Sequence, residues 1–194
     1  MNNNWNEQNS NTVRAWKNYT LKSIIIYNSV LTKYNKRSST VSIFVLFMGY
    51  LATLISSITT AVSAISKQYI WIIFGLSVSL FVINGLMSFF QSVIKLKNWN
   101  EIEKKYMVYI AKLDNFYDVI SNILILPEEL RIDAIEFIKE QNNAYLMICK
   151  ESPILSNEDS KYGMEQYKQF LQNNENNYAM ETKYKNRDDV VFTI

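Results

Sequence analysis

Residues 38–94 read SSTVSIFVLFMGYLATLISSITTAVSAISKQYIWIIFGLSVSLFVINGLMSFFQSVI and hold a single charge, Lys67. Lys67 divides the stretch into two uncharged runs, Ser38–Ser66 and Gln68–Ile94. At a rise of 1.5 Å per residue each run makes a helix of roughly 40 Å, longer than the ~30 Å hydrocarbon core of a bilayer. A core helix of a small soluble domain keeps a charged edge toward water. Here Ile43–Met48 and Tyr69–Phe74 are apolar around the whole circumference, as lipid requires. The expectation is two transmembrane helices, 41–62 and 69–90. The connection between them is too short for a crossover, so they are expected to form an antiparallel hairpin.

Charge fixes the orientation. Lys33, Lys36 and Arg37 precede the first span, and Lys95 and Lys97 follow the second, while the connection has only Lys67. By the positive-inside rule both termini are expected in the cytoplasm. The first apolar run starts too far from Met1 for a cleavable signal, so the first span is expected to direct insertion itself. Residues 1–37 set six basic residues against Glu7 alone, and residues 95–194 hold 13 basic and 17 acidic ones. The basic arm is therefore expected to dock on the acidic C-terminal part, with anionic lipid as its other natural partner.

Outward from the spans the chain reads as helix. Residues 1–11 are Asn-rich and expected to be flexible. Residues 12–37 form an amphipathic basic helix with Ile24, Tyr27, Leu31 and Tyr34 on one face. After the second span, Ile102, Tyr106, Tyr109, Leu113, Phe116, Ile120 and Ile123 recur at alternating spacings of four and three. That heptad stripe predicts a long packed helix over 95–126, running on directly from the second span. Pro127 breaks it, and Glu128 and Glu129 suit the first turn of a returning helix over 127–151 with Leu130, Ala134, Ile135, Ile138, Tyr145 and Ile148 inward. Residues 157–194 are polar and expected to be largely disordered, with a weak helix near 160–172 and an apolar end, Val190–Ile194. The fold class is thus all-α: a two-span transmembrane helical hairpin extended by a cytoplasmic antiparallel three-helix bundle.

Composition removes most chemistry. The 194 residues include no histidine and one cysteine, Cys149, so no intramolecular disulfide, no His-dependent nucleophile and no zinc or haem ligand set is available. The glycines are too scattered for a phosphate-binding loop, and no basic–aromatic module for nucleic acid occurs. No enzyme, cofactor, metal or nucleic-acid partner is expected. The acidic cluster Glu128, Glu129, Asp133 and Glu136 reads as a solvated face. Within the spans the informative residues are polar. Gly49, Thr53, Ser56, Thr60 and Ser63 form one small, hydroxylated stripe, and Ser77, Asn84 and Ser88 a second polar line. Such lines pack helices together or border a pore in an oligomer. Asn84 lies mid-span, where its amide is not expected to face lipid.

The helix ending in Lys36–Arg37, the tight two-span hairpin, the long helix after Lys95, the Leu126–Pro127 break and the closing Ser152–Pro153–Ile154–Leu155 together resemble the SLATT family, the SMODS- and SLOG-associating two-transmembrane effector domains. The resemblance covers residues 12–156 and rests on architecture and spacing. It implies an oligomeric membrane effector that forms pores or perturbs membranes, held silent until a regulatory partner acts, here expected in trans. The alternative is a non-conducting anchor or scaffold whose cytoplasmic helices and tail recruit other proteins.

Overall fold

A computed structural model describes residues 3–65 and 69–188. The Lys67 connection and the apolar end Val190–Ile194 lie outside these residues. The chain is all-α: α1 (Glu7–Ile65), α2 (Ile70–Lys97), α3 (Trp99–Ile125), a 3-10 turn (Glu128–Leu130), α4 (Ala134–Lys150) and α5 (Asn157–Asp188). Two units are distinguished, one of residues 1–31 with 105–194 and one of residues 32–104.

In the first unit the heptad stripe of α3 is the centre. Tyr106, Tyr109, Leu113, Phe116, Ile120 and Ile123 are buried, joined by Ile110. Leu113 and Ile120 are fully enclosed, and full burial of such a side chain contributes about 1.5–3 kcal/mol. From α1, Val13, Trp16, Thr20, Ser23, Tyr27 and Val30 are buried. This line is displaced from the expected Ile24–Tyr27–Leu31 face, because Thr20 and Ser23 occupy seam positions that hydropathy reads as polar. Thr20 can do so because its hydroxyl donates to the Trp16 carbonyl at 2.8 Å. Trp16 stacks on Tyr145 of α4 at 5.2 Å and tilts against Phe116 at 6.3 Å. The basic side chains of α1 meet aromatic rings in this unit: Lys17 lies over Tyr117 and Lys22 over Tyr167.

Four local expectations differ from what is observed. The N-terminal residues are fastened rather than flexible: buried Trp5 donates from Nε1 to the Ile132 carbonyl at 2.8 Å, tilts against Phe137 and carries Arg131 over its ring. Ala134 N–H donates to the Asn3 carbonyl at 2.9 Å. The returning helix does not start at Pro127. Arg131 is extended after the 3-10 turn, and Asp133 caps α4 by accepting from the Ile135 and Glu136 N–H groups. The Asn4 amide and these two N–H groups hold the Asp133 carboxyl below its usual range. Of the expected inward face Ala134 and Ile148 are buried, joined by Phe137, and Ile138 and Tyr145 are half-buried, while Leu130, left outside the helix by the later start, and Ile135 are exposed.

The region after Asn157, expected as a loose tail, is α5. Ser156 Oγ accepts from the Asp159 N–H and is bonded in turn to the Asp159 carboxylate at 2.7 Å, a reciprocal cap. Gly163 then lies against α1: a Cβ there would stand 2.6 Å from Ile26 Cγ2. The junction after the second apolar helix also differs. Instead of one helix running through, Asn98 adopts a left-handed conformation (φ 49°) between α2 and α3. Its N–H donates to Lys95, its carbonyl accepts from Glu101 and Ile102, and its amide donates to Glu101 Oε2 at 2.7 Å. Asparagine is the residue besides glycine that adopts this conformation most readily, and no Gly or Pro announces the break.

Candidate functional site: the faces of the two apolar helices

The two long helices each contain an 18-residue window apolar enough to cross a membrane; none of the first window and 6% of the second is buried within the chain. In the second unit the helices touch where Phe44 meets Phe90 edge-on at 5.0 Å and Gly49 faces Met87. The shielded residues define a seam. On α1 it is Val41, Val45, Met48, Ala52, Ile55, Thr59 and Val62, all half-buried; on α2 it is Ile73, Leu76, Leu80, Ile83, Met87, Phe90 and Ile94. Both lines alternate spacings of three and four, the pattern of two helices packed side by side.

The seam is almost wholly apolar, and the polar lines are not in it. Gly49 is half-buried beside the seam, and Thr53, Ser56, Thr60 and Ser63 are exposed. Ser77, Asn84 and Ser88 on α2 are exposed too. The polar lines are therefore not what joins α1 to α2. Each stripe borders the seam: Gly49, Ser56 and Ser63 follow Met48, Ile55 and Val62 by one residue, and Ser77 and Asn84 follow Leu76 and Ile83 by one.

Hydroxyls and the amide differ in what exposure costs them. Thr53, Thr60, Ser63 and Ser77 donate to the carbonyls of Gly49, Ser56, Thr59 and Ile73 at 3.0, 3.0, 2.7 and 2.8 Å. A hydroxyl bonded to its own helix is tolerated by lipid. Asn84 has two amide protons and a carbonyl, and among the described residues none of them has a partner. An amide moved into a medium without hydrogen bonds costs several kcal/mol, about 4–8 on a hydrocarbon scale. Asn84 is the group in these two helices that most needs something outside the chain.

The cations stand at one end of the same unit. Lys36, Arg37, Lys95 and Lys97 are exposed and Lys33 is half-buried. The acids nearby are occupied by amides: Asn35 donates to the Glu103 carboxylate at 3.1 and 3.3 Å, and Asn98 to Glu101. Ile102, the first residue of the heptad stripe, is half-buried in this unit. Reasoning from sequence located the polar residues but missed the seam, because in a uniformly apolar helix inward and lipid-facing residues are chemically alike. The one available signal was that the large aromatics Trp71, Phe74, Phe81 and Phe89, all exposed, avoid the seam positions. No protein-family model, curated protein or solved structure matches this chain.

Proposed function

We propose that this chain is a two-span membrane protein of SLATT type that self-associates and permeabilises a bilayer, without enzymatic chemistry. The observation that carries the reading is the unpartnered Asn84 amide on the outer side of an apolar seam. Touching pairs run in opposite senses on the two helices, 44 with 90 and 49 with 87, which supports an antiparallel hairpin. In such a pair the positions that adjoin the seam on one side of each helix come together. Gly49, Ser56 and Ser63 then share a side with Ser77 and Asn84, giving each hairpin one polar face. One hairpin encloses no channel, so several must bring these faces together. The unequal charge at the ends, Lys33, Lys36, Arg37, Lys95 and Lys97 against Lys67, supports cytoplasmic termini and a cytoplasmic bundle of the 12–37, 95–126 and 127–151 segments. A regulatory protein acting in trans on that bundle completes the proposal.

The bonded hydroxyls favour a second reading. Satisfied by their own helix, they need no water, and the polar face then serves as close packing in a non-conducting anchor. Planar-bilayer conductance of the purified protein, with chemical cross-linking to count subunits, separates the two. A pore gives discrete conductance that Asn84→Leu and Ser56→Leu abolish. An anchor shows oligomers without conductance, and a monomeric, silent protein sinks the leading proposal. An interhelical hydrogen bond in a membrane contributes about 0.6–2 kcal/mol, so Asn84→Leu is expected to weaken association by roughly 3- to 30-fold.

A further inference from the structure

The two apolar helices leave a groove of about 580 Å³ beside their seam, bordered by Ser42, Leu46, Gly49 and Thr53 on α1 and by Met87 and Ile94 on α2. We infer that this groove, at the end of the hairpin that carries Lys36 and Lys95, binds one anionic phospholipid of the surrounding membrane; the inference rests on the two-span reading. Three observations converge on that occupant.

The first is length. Ser42 to Thr53 covers about 17 Å of helix, close to the ~15 Å depth of one leaflet's hydrocarbon. The groove therefore suits an acyl chain entering from one side and ending at the bilayer midplane. The second is shape. Gly49 supplies the hollow: a Cβ at that position would already stand 3.6 Å from Met87 Cε, so a larger side chain fills the space that the acyl chain takes. Val45, Leu46, Met87 and Ile94 make the walls mainly apolar, with Ser42 and Tyr50 as polar members, and the Thr53 hydroxyl is turned to the Gly49 carbonyl.

The third is charge. Lys95 directly follows Ile94 at the open end, and Lys36, Ser39 and Ser42 recur every third residue along the neighbouring helix, spacing that makes them surface neighbours. Lys36 and Lys95 are exposed and neither is paired with a carboxylate among the described residues. Glu101 and Glu103, the acids closest in sequence to Lys95, are held by Asn98 and Asn35. Lys36, Arg37, Lys95 and Lys97, all exposed, outnumber these two carboxylates, whose charge an amide does not neutralise, so this end of the unit stays net positive and is complementary to a phosphate-bearing headgroup of net negative charge. The lipid occupies the leaflet half of the hairpin nearest the cations. The lipid thus takes the Gly49–Thr53 part of the polar face, and Ser56, Ser63, Ser77 and Asn84, on the connection side of Thr53 and Met87, stay free for contacts between copies.

The test is native mass spectrometry of the full chain, released from mixed micelles with equal dioleoyl-phosphatidylglycerol and dioleoyl-phosphatidylcholine. Each cation near a headgroup is worth about fivefold, so phosphatidylglycerol adducts are expected to exceed phosphatidylcholine adducts by at least about fivefold. Lys36→Gln with Lys95→Gln brings the ratio to within about twofold of unity, and Gly49→Leu removes adducts of both lipids. Equal adducts on the unmodified protein overturn the inference. So does Gly49→Leu that keeps its lipid while shifting the subunit count, since a second copy then fills the groove. Should the variants fail to insert, a salt titration of the unmodified protein decides: a preference that declines with salt supports the site, and one that does not refutes it. Extraction of the unmodified protein from membranes by alkaline carbonate refutes the two-span reading itself; retention with equal adducts refutes the lipid site alone.

Discussion

Replacing Tyr109 by phenylalanine is expected to stabilise the first unit, and replacing Tyr27 to destabilise it, although the two rings touch edge-on at 4.8 Å. The Tyr27 hydroxyl donates to the Pro153 carbonyl at 2.7 Å and lies 2.7 Å from Ser152 Oγ. The Tyr109 hydroxyl is buried with no hydrogen-bond partner; Ser152 Oγ, bonded to Tyr27, lies nearby and acts against the rise that burial imposes on this phenol. A buried polar group without a partner costs about 1–3 kcal/mol, and a lost hydrogen bond that strands its acceptor costs a similar amount in the opposite sense. Tyr109→Phe keeps the ring and removes the stranded oxygen, a gain of about 1 kcal/mol. Tyr27→Phe strands Pro153 and Ser152, a loss of about 1–2 kcal/mol. Near-ultraviolet circular dichroism in mild detergent reads the packed aromatics directly, and each kcal/mol is expected to move the thermal midpoint by roughly 2–4 °C.

The same pair has a pH signature. Burial pushes the Tyr109 phenol up to about 12 from the ordinary value of 10.0. Above pH ~10 the unfolded chain releases this proton while the folded chain keeps it until about 12. The unfolded state then binds fewer protons, so stability falls as pH rises through that window, by at most about 1.4 kcal/mol per pH unit from this residue. Tyr109→Phe lacks that loss, so its advantage over the unmodified protein is small and constant below pH 9 and widens from pH 10 to 12. A lowered midpoint for Tyr109→Phe at pH 7 refutes the stranded hydroxyl. A gap that stays constant up to pH 12 refutes the burial of the phenol.

Gly163→Ala is expected to release α5 from α1 at a cost of roughly 1–3 kcal/mol, because the new Cβ meets Ile26 Cγ2 at 2.6 Å and the Ile26 carbonyl at 3.3 Å; faster proteolysis of α5, partly relieved by Ile26→Ala, is the readout. Asn98→Ala is expected to cost about 1–2 kcal/mol for the left-handed conformation, while Asn98→Gly keeps the thermal midpoint within about 1 °C of the unmodified protein only if the Glu101 contact is weak; a midpoint for Asn98→Ala equal to that of the unmodified protein sinks the account of the junction.

The parts of this fold legible in sequence are those where one physical cause acts alone. The heptad of α3 is legible because Tyr106, Leu113 and Ile120 alternate with charged residues in a segment that meets water. The seam line of α1 is not, because it runs through two polar residues, Thr20, whose hydroxyl bonds the Trp16 carbonyl, and Ser23, both buried. The start of α4 was obscured by Pro127, whose preference for a helical first turn was met by a three-residue 3-10 turn. Nothing in composition announces that Asp133 takes the cap. The helix after Asn157 was hidden by its Asn- and Lys-rich sequence: its Ser156–Asp159 cap is local, but its docking at Gly163 depends on Ile26, more than a hundred positions away.

Within the apolar helices the polar stripes were legible, but their direction was not. In water a seam announces itself by excluding charge; between two uniformly apolar helices no such contrast exists, and Val45 and Leu46 differ only in which neighbour they meet. Direction changes what the stripes mean. Had Thr53 and Ser56 faced α2, close packing within one chain would account for them. On the outer side they split by chemistry. The hydroxyls of Thr53, Thr60, Ser63 and Ser77 are satisfied by carbonyls of their own helices and are compatible with lipid, a second copy or water. Asn84 is not, because no backbone carbonyl one turn back accepts its amide and its own carbonyl needs a donor. The proposed self-association therefore turns on one side chain: Asn84→Gln is expected to retain it, Asn84→Leu to weaken it, and removal of any one of these four bonded hydroxyls to leave it nearly unchanged. Cross-linking yields for the three classes of variant rank in that order, and a serine variant as disruptive as Asn84→Leu would show that the hydroxyls reach beyond their own helix.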